Sequence, residues 1–98
     1  MSYFYEAEAV RQAARGGWLA ILEQLAPALG EAIEKAPRHV DCPFPAHGGK
    51  KDFRLFRDAA ETGGGVCTFG TSHDGFEMLM NINGWSFIDA LSEVCDLI

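Results

Sequence analysis

Cys42-Pro43-Phe44-Pro45-Ala46-His47-Gly48-Gly49 is followed by Lys50-Lys51-Asp52-Phe53-Arg54-Leu55-Phe56-Arg57, and then by Gly63-Gly64-Gly65-Val66-Cys67 and His73. Cysteine and histidine stand at both ends of what reads as one β-hairpin. Two turns that each supply two such donors can close around one tetrahedral ion. Zinc suits that arrangement, because its filled d shell imposes no other geometry. Cys42 and His47, with four residues between them, form the first pair, and Cys67 opens the second. Two prolines flank Phe44 and stiffen the first turn. Gly48-Gly49 permit the positive φ needed where the backbone folds back beneath a metal.

Working outward, Phe53–Arg57 reads as a strand with Phe53, Leu55 and Arg57 on one face and Arg54 and Phe56 on the other. Asp58–Thr62 is the connection, and residues 64–69 are the returning strand that delivers Cys67. A two-stranded ribbon is marginal in water, so it needs a metal, packed helices, or both. The helices are legible on either side. Glu6–Arg15 is alanine-rich and favours helix, with Ser2 as N-cap. Gly16-Gly17 ends it. Trp18, Leu19, Ile21, Leu22, Leu25 and Leu29 then recur at helical spacing, with a break or kink at Pro27. Gly30–Lys35 reads as a last helical turn or a short helix before Pro37 turns the chain extended. Asp74 with Glu77 signals a third helix, stopped at Asn83-Gly84. Ser86 with Asp89 signals a final one, with Phe87, Ala90, Leu91, Val94, Cys95 and Ile98 as its apolar stripe.

The predicted fold class is α+β: a small zinc-ribbon-like β-hairpin packed with N-terminal and C-terminal helices. Residues 1–35 are an N-terminal helical segment and residues 36–98 the ribbon with two helices, together one compact unit. The chain of 98 residues fits one small domain, and a bound metal would add useful stability at that size. Its ending on Leu97-Ile98, without a polar tail, reads as the amino-terminal part of a longer protein. No apolar run is long enough to span a bilayer, and the start lacks the basic and apolar regions of a signal peptide. Three cysteines are an odd number for a disulfide scaffold, which points to a reducing cytoplasm with thiols free or bound to metal.

The net charge of −6 argues against a nucleic-acid binder, but its distribution does not. From Lys35 to Arg57 six basic residues face two acidic ones, a local excess of +4, while the remainder carries −10. A basic ribbon on an acidic helical body can meet phosphates through one face.

The ordered set Cys-Pro-x-x-x-His-Gly-Gly-Lys, Phe-Arg-Leu-Phe, Gly-Gly-Gly-Val-Cys, Asp-Gly-Phe and Asn-Gly-Trp-Ser-Phe-Ile-Asp-Ala-Leu resembles the zinc-binding domain of bacterial primases. It is most similar to the TraC-like plasmid conjugative primases and the phage-type primase-helicases. The likeness runs from about Ala36 to the C-terminus. It implies a non-catalytic zinc module that helps engage single-stranded DNA template, beside a separate catalytic domain of the same primase that performs nucleotidyl transfer. The chain departs from the family at the second turn. Relatives carry Cys-x-x-Cys-Gly there; this chain has Cys67-Thr68-Phe69-Gly70-Thr71-Ser72-His73. The expected zinc ligands are therefore Cys42, His47 and Cys67, with His73 as the fourth and His39 or Asp74 as competitors. Cys95, on an apolar stripe, reads as a structural cysteine, and Trp18 and Trp85 as core.

Lys50, Lys51, Arg54 and Arg57 are the expected phosphate contacts. Phe44, Phe53, Phe56 and Phe69 are placed either to stack on unpaired bases or to pack a small core, with at least two of the four buried. A protein-interaction or adaptor domain that has a degenerate ribbon and no DNA role is the second function class.

Overall fold

The alanine-rich start forms helix α1, Ala7–Ala14, burying Val10 and Ala14. In the computed structural model residues 7–44, 50–68 and 70–98 are described, so the expected cap Ser2 lies outside them. The glycine pair breaks the chain as its composition requires, with Gly16 at φ +87. Helix α2, Trp18–Leu25, follows. Pro27 does not kink that helix but opens a separate 3-10 turn, Pro27–Leu29, where its missing N–H costs nothing. The turn runs into α3, Gly30–Lys35.

The sheet has three strands rather than the expected two. Strand β1 is only Arg54–Leu55, β2 is Gly65–Cys67 and β3 is Gly70–Ser72, in the order β1-β2-β3 and antiparallel throughout. Within the run assigned to a metal-binding turn, Gly70–Ser72 is therefore a strand, preceded by a turn at Thr68. Phe53 leaves the β1 ladder to bridge Val40 instead. The alternation read from sequence holds where the strand exists: Phe53 and Leu55 are buried, while Arg54 and Phe56 are half-buried. Arg57 lies past its end and is exposed. The connection is also more ordered than expected. Ala59–Thr62 forms one helical turn, α4, ended by Gly63 at φ +76, a conformation that glycine adopts without penalty.

Helix α5, Gly75–Asn83, starts where predicted. The Asp74 side chain accepts from the Glu77 backbone N–H, and Gly84 ends the helix at φ +70. Helix α6, Phe87–Leu97, carries the full reciprocal capping box between Ser86 and Asp89. Its buried stripe is Ala90, Leu91 and Val94; Phe87 and Cys95 are half-buried, and Ile98, expected on the stripe, is 50% exposed.

These helices meet around Trp18, which is fully buried. Its ring meets Phe76 edge to face, with centroids 5.1 Å apart, and Phe76 meets Phe87 at 5.5 Å. Gly75 is required here, because a Cβ on it would overlap the Trp18 ring atoms Cε3 and Cζ3. Asn83 at the end of α5 donates to the Leu25 carbonyl at the end of α2, 2.9 Å away, and so fixes the two helices lengthwise. Trp85, expected in the core, is half-buried against it. The same core continues beneath the sheet through Leu29, Ala32, Leu55 and Met78.

Candidate metal centre and basic ribbon

Two backbone contacts position the thiols. Val40 and Phe53 exchange both hydrogen bonds, at 2.7 and 3.1 Å, and so lay the segment entering the first turn beside β1. The pairing of Arg54 with Val66 then brings β2 alongside, with Cys67 at its end. As a result Cys42 and Cys67 face each other closely enough for a side-chain hydrogen bond. They are not joined as a disulfide. Cys67 is 7% exposed and Cys42 half-buried. Phe44, two residues on from Cys42, is buried with its ring centroid 5.6 Å from that of Phe53. Phe44 and Phe53 are thus the two buried ring residues of the four that flank the basic run, while Phe56 is half-buried and Phe69 lies outside the described residues.

Burial pushes the Cys42 thiol up from its ordinary value. A hydrogen bond from the Phe44 backbone N–H pulls the other way, and the Cys67 thiol and the Asp52 carboxylate add to the rise. A metal cation bound here would displace the thiol protons, since thiolate is the ligating form. Asp52 has a further property that sequence reading missed: its Oδ1 is buried with no hydrogen-bond partner among the described residues. The signal was not local. It depends on the Val40–Phe53 bridge, which draws the residue before Phe53 under cover.

The two thiols fit two corners of a tetrahedral site. Among the described residues no group of three or more Cys, His, Asp or Glu gathers closely enough to hold a metal, so neither His39, Asp74 nor His73 joins the pair in this conformation. His47 lies outside the described residues. His73 follows β3 at the end where Ser72 pairs with Gly65, away from the Cys67–Gly70 end of the same ladder. At about 3.3 Å per residue that is roughly 10 Å of strand. Glu77 holds it there: the His73 backbone N–H donates to Glu77 Oε1 at 2.9 Å, and ring Nδ1 lies 3.0 Å from the same oxygen. The i, i+4 spacing of His73 and Glu77 at a helix start was the sequence signal for this pairing. Cys95 stays on α6, half-buried against the core, as expected of a structural cysteine.

Lys50, Lys51 and Arg57 are exposed, and Arg54 is half-buried with its guanidinium 6.0 Å from the centre of the Phe56 ring. None of the four forms an ion pair with a described carboxylate, whereas Arg11, Arg15 and Lys35 do. The Lys51 backbone N–H donates to Asp41 Oδ1 at 3.0 Å, and Lys51 adopts φ +53, which turns the chain sharply before β1. A cleft of about 260 Å³ between α1, α4 and the start of α5 is lined by Arg11, Arg15, Glu61 and Asp74, whose charges pair with one another.

Residues 37–76 match the family model described as the zinc-binding domain of primase-helicase. The matched segment starts just before the Val40–Phe53 bridge and ends at the first turn of α5, so it contains Cys42, His47, Cys67, His73 and all four basic residues of the ribbon. The matched family binds zinc, and zinc is therefore the cofactor that this segment takes. No match was found among curated proteins or among solved structures. No helix among the described residues is long and apolar enough to cross a membrane.

Proposed function

We propose that this chain is the zinc-binding module of a cytoplasmic primase, that it engages single-stranded DNA template during primer synthesis, and that it works beside a catalytic domain of the same enzyme. The observation that carries this reading is the coincidence of two facts. The segment matching the primase-helicase zinc domain is the segment in which Cys42 and Cys67 converge. Cys42, Cys67 and His47 hold the zinc, and His73 belongs to the cap of α5 through Glu77. Zinc closes the open end of a sheet whose strands are two and three residues long. Lys50, Lys51, Arg54 and Arg57, with no acid among the described residues paired to them, offer their charge to phosphates on a chain that is otherwise acidic.

The test is fluorescence anisotropy of a labelled single strand at two ionic strengths. Binding is expected to be weak and to fall with salt, with a log–log slope of about 0.7 per phosphate contact. The double variant Lys51→Glu, Arg54→Glu should lose binding and keep its zinc. Equal binding by variant and parent would contradict the template role of the ribbon. Absence of binding at low salt would favour the adaptor reading, for which the −10 charge of the helical body speaks.

A further inference from the structure

The two faces of the sheet differ. Leu55, Gly65 and Ser72 stand side by side across β1, β2 and β3 and are all buried. Their neighbours Arg54, Val66 and Thr71 also stand side by side, alternate to the other face, and none of them is buried. Phe56 continues this outer face one step beyond β1, where its backbone N–H donates to the Gly64 carbonyl at 3.0 Å. Its ring rests against the Gly64 backbone: a Cβ on Gly64 would stand 2.8 Å from both Cδ2 and Cε2 of the ring. Any side chain at that position would push the ring off the sheet. The Arg54 guanidinium stands over the ring, 6.0 Å from its centre. Phe56 is half-buried, whereas Phe44 and Phe53 are buried against each other. Arg54 and the exposed Arg57 flank Phe56 in sequence, and neither is paired with a carboxylate among the described residues.

We infer that Phe56 is the base-stacking residue of the ribbon: one unpaired nucleobase lies on its ring while Arg54 and Arg57 meet the flanking phosphates. The inference rests on the template reading above and deepens it, because the module then recognises unpaired bases and not phosphate charge alone. A ring borne on a sheet and flanked by cations suits this partner, since every base has a π-face and carries phosphate on either side. The Gly64 contact sets the ring before the strand arrives, so little ordering is left to be done on binding. A base inside a duplex has both faces in the stack and reaches such a ring only if it is extracted. The position is also distinct from the thiol pair. Cys67 alternates to the inner face and pairs at the Gly70 end of the sheet, whereas Phe56 stands at the Gly64 end.

Fluorescence anisotropy on the whole 98-residue chain tests this with three labelled probes. They are a short single strand, a strand of the same length whose sugars carry no bases, and the duplex of the first. Phe56→Leu keeps apolar bulk and removes the ring. Its affinity for the single strand should fall by about tenfold or more, with the salt slope unchanged because no phosphate contact is lost. Phe56→Tyr should recover most of that affinity. The base-free strand and the duplex should not distinguish Phe56→Leu from the parent. A folded Phe56→Leu chain that binds the single strand like the parent overturns the inference. So does one whose salt slope falls with its affinity, because the ring would then support the cations and not a base. The comparison of strands on the parent needs no variant, so the inference stays testable if Phe56→Leu does not fold. A parent that binds the base-free strand as tightly as the ordinary one overturns the inference and leaves the template reading standing. A parent that binds no strand at low salt refutes the template reading, and this inference with it.

Discussion

Around Trp18 the chain is held by helix-on-helix packing; around Cys42 it is held by short strands, the Phe44–Phe53 ring contact and two thiols. The first region packs α1, α2, α5 and α6 on one another through residues with no exposed surface, such as Trp18, Leu22, Leu79 and Leu91. Its helix ends are closed by their own side chains at Asp74 and Ser86. The second region has one bridge at Val40 and Phe53, strands of two or three residues, and the pair Cys42 and Cys67. Hydrophobic burial scales with area removed from water, and the helical layer has most of that area. The thiol end buries Val40, Phe44, Phe53 and Leu55 but is built on strands of two and three residues, so a metal bond there would add to a short ladder. The difference teaches that the helices are the platform and the ribbon is a short-stranded extension of it that carries the thiol pair.

The sharpest break of that contrast is Trp18→Ala. Removing a fully buried ring from the centre of the platform should cost about 3–5 kcal/mol. Thermal unfolding followed by circular dichroism should show the whole helical signal melting earlier. If the signal barely moves, the platform does not depend on this core.

A milder change separates local from global support. Ser86→Ala removes the side chain that accepts from the Asp89 N–H at 3.1 Å. It should destabilise α6 by about 1 kcal/mol, read as a lowered denaturant midpoint with an unchanged zinc content. Loss of zinc in this variant would tie the two regions together more tightly than the structure does.

The smallest effect concerns Glu77. The His73 backbone N–H and ring hold its carboxyl below the usual carboxylate range. A carboxylate lowered by folding contributes stability above its unfolded value, and that contribution is lost as the pH falls through the lowered folded value. The side chain is 45% exposed, so solvent screening limits the effect to about a few tenths of a kcal/mol. Glu77→Gln should lower stability at neutral pH by that amount and flatten the acid side of the profile, so that variant and parent converge at low pH. A steep loss at neutral pH would give Glu77 a role beyond the cap.

Much of this was readable from residues because the signals are local. Asp74 with Glu77, Ser86 with Asp89 and the stop at Gly84 are each contained in one helical turn, and all three formed as read. Trp18 and the buried Ala90, Leu91 and Val94 of α6 followed from helical spacing, whereas Ile98, read onto the same stripe, is exposed. What escaped depends on partners distant in sequence. Gly70-Thr71-Ser72 has little intrinsic strand preference and is a strand only because Val66 and Cys67 lie beside it. Ala59–Thr62 reads as a loop because one turn of helix has no periodicity to detect. At the site, the convergence of Cys42 with Cys67 was legible from cysteines standing at both ends of one hairpin pattern. The separation of His73 from them was not, because it follows from the third strand. The burial of Asp52 follows from the bridge at its neighbour.

The central claim is that Cys42 and Cys67 meet in order to hold zinc, and metal content measured beside thermal stability tests it most directly. The purified chain should carry about one zinc per molecule. Cys42→Ser and Cys67→Ser should each lose it while keeping most of the helical signal, and Cys95→Ala should keep it. A chain that is free of metal after exposure to zinc, and that melts at the same temperature with zinc or with chelator, would contradict the account.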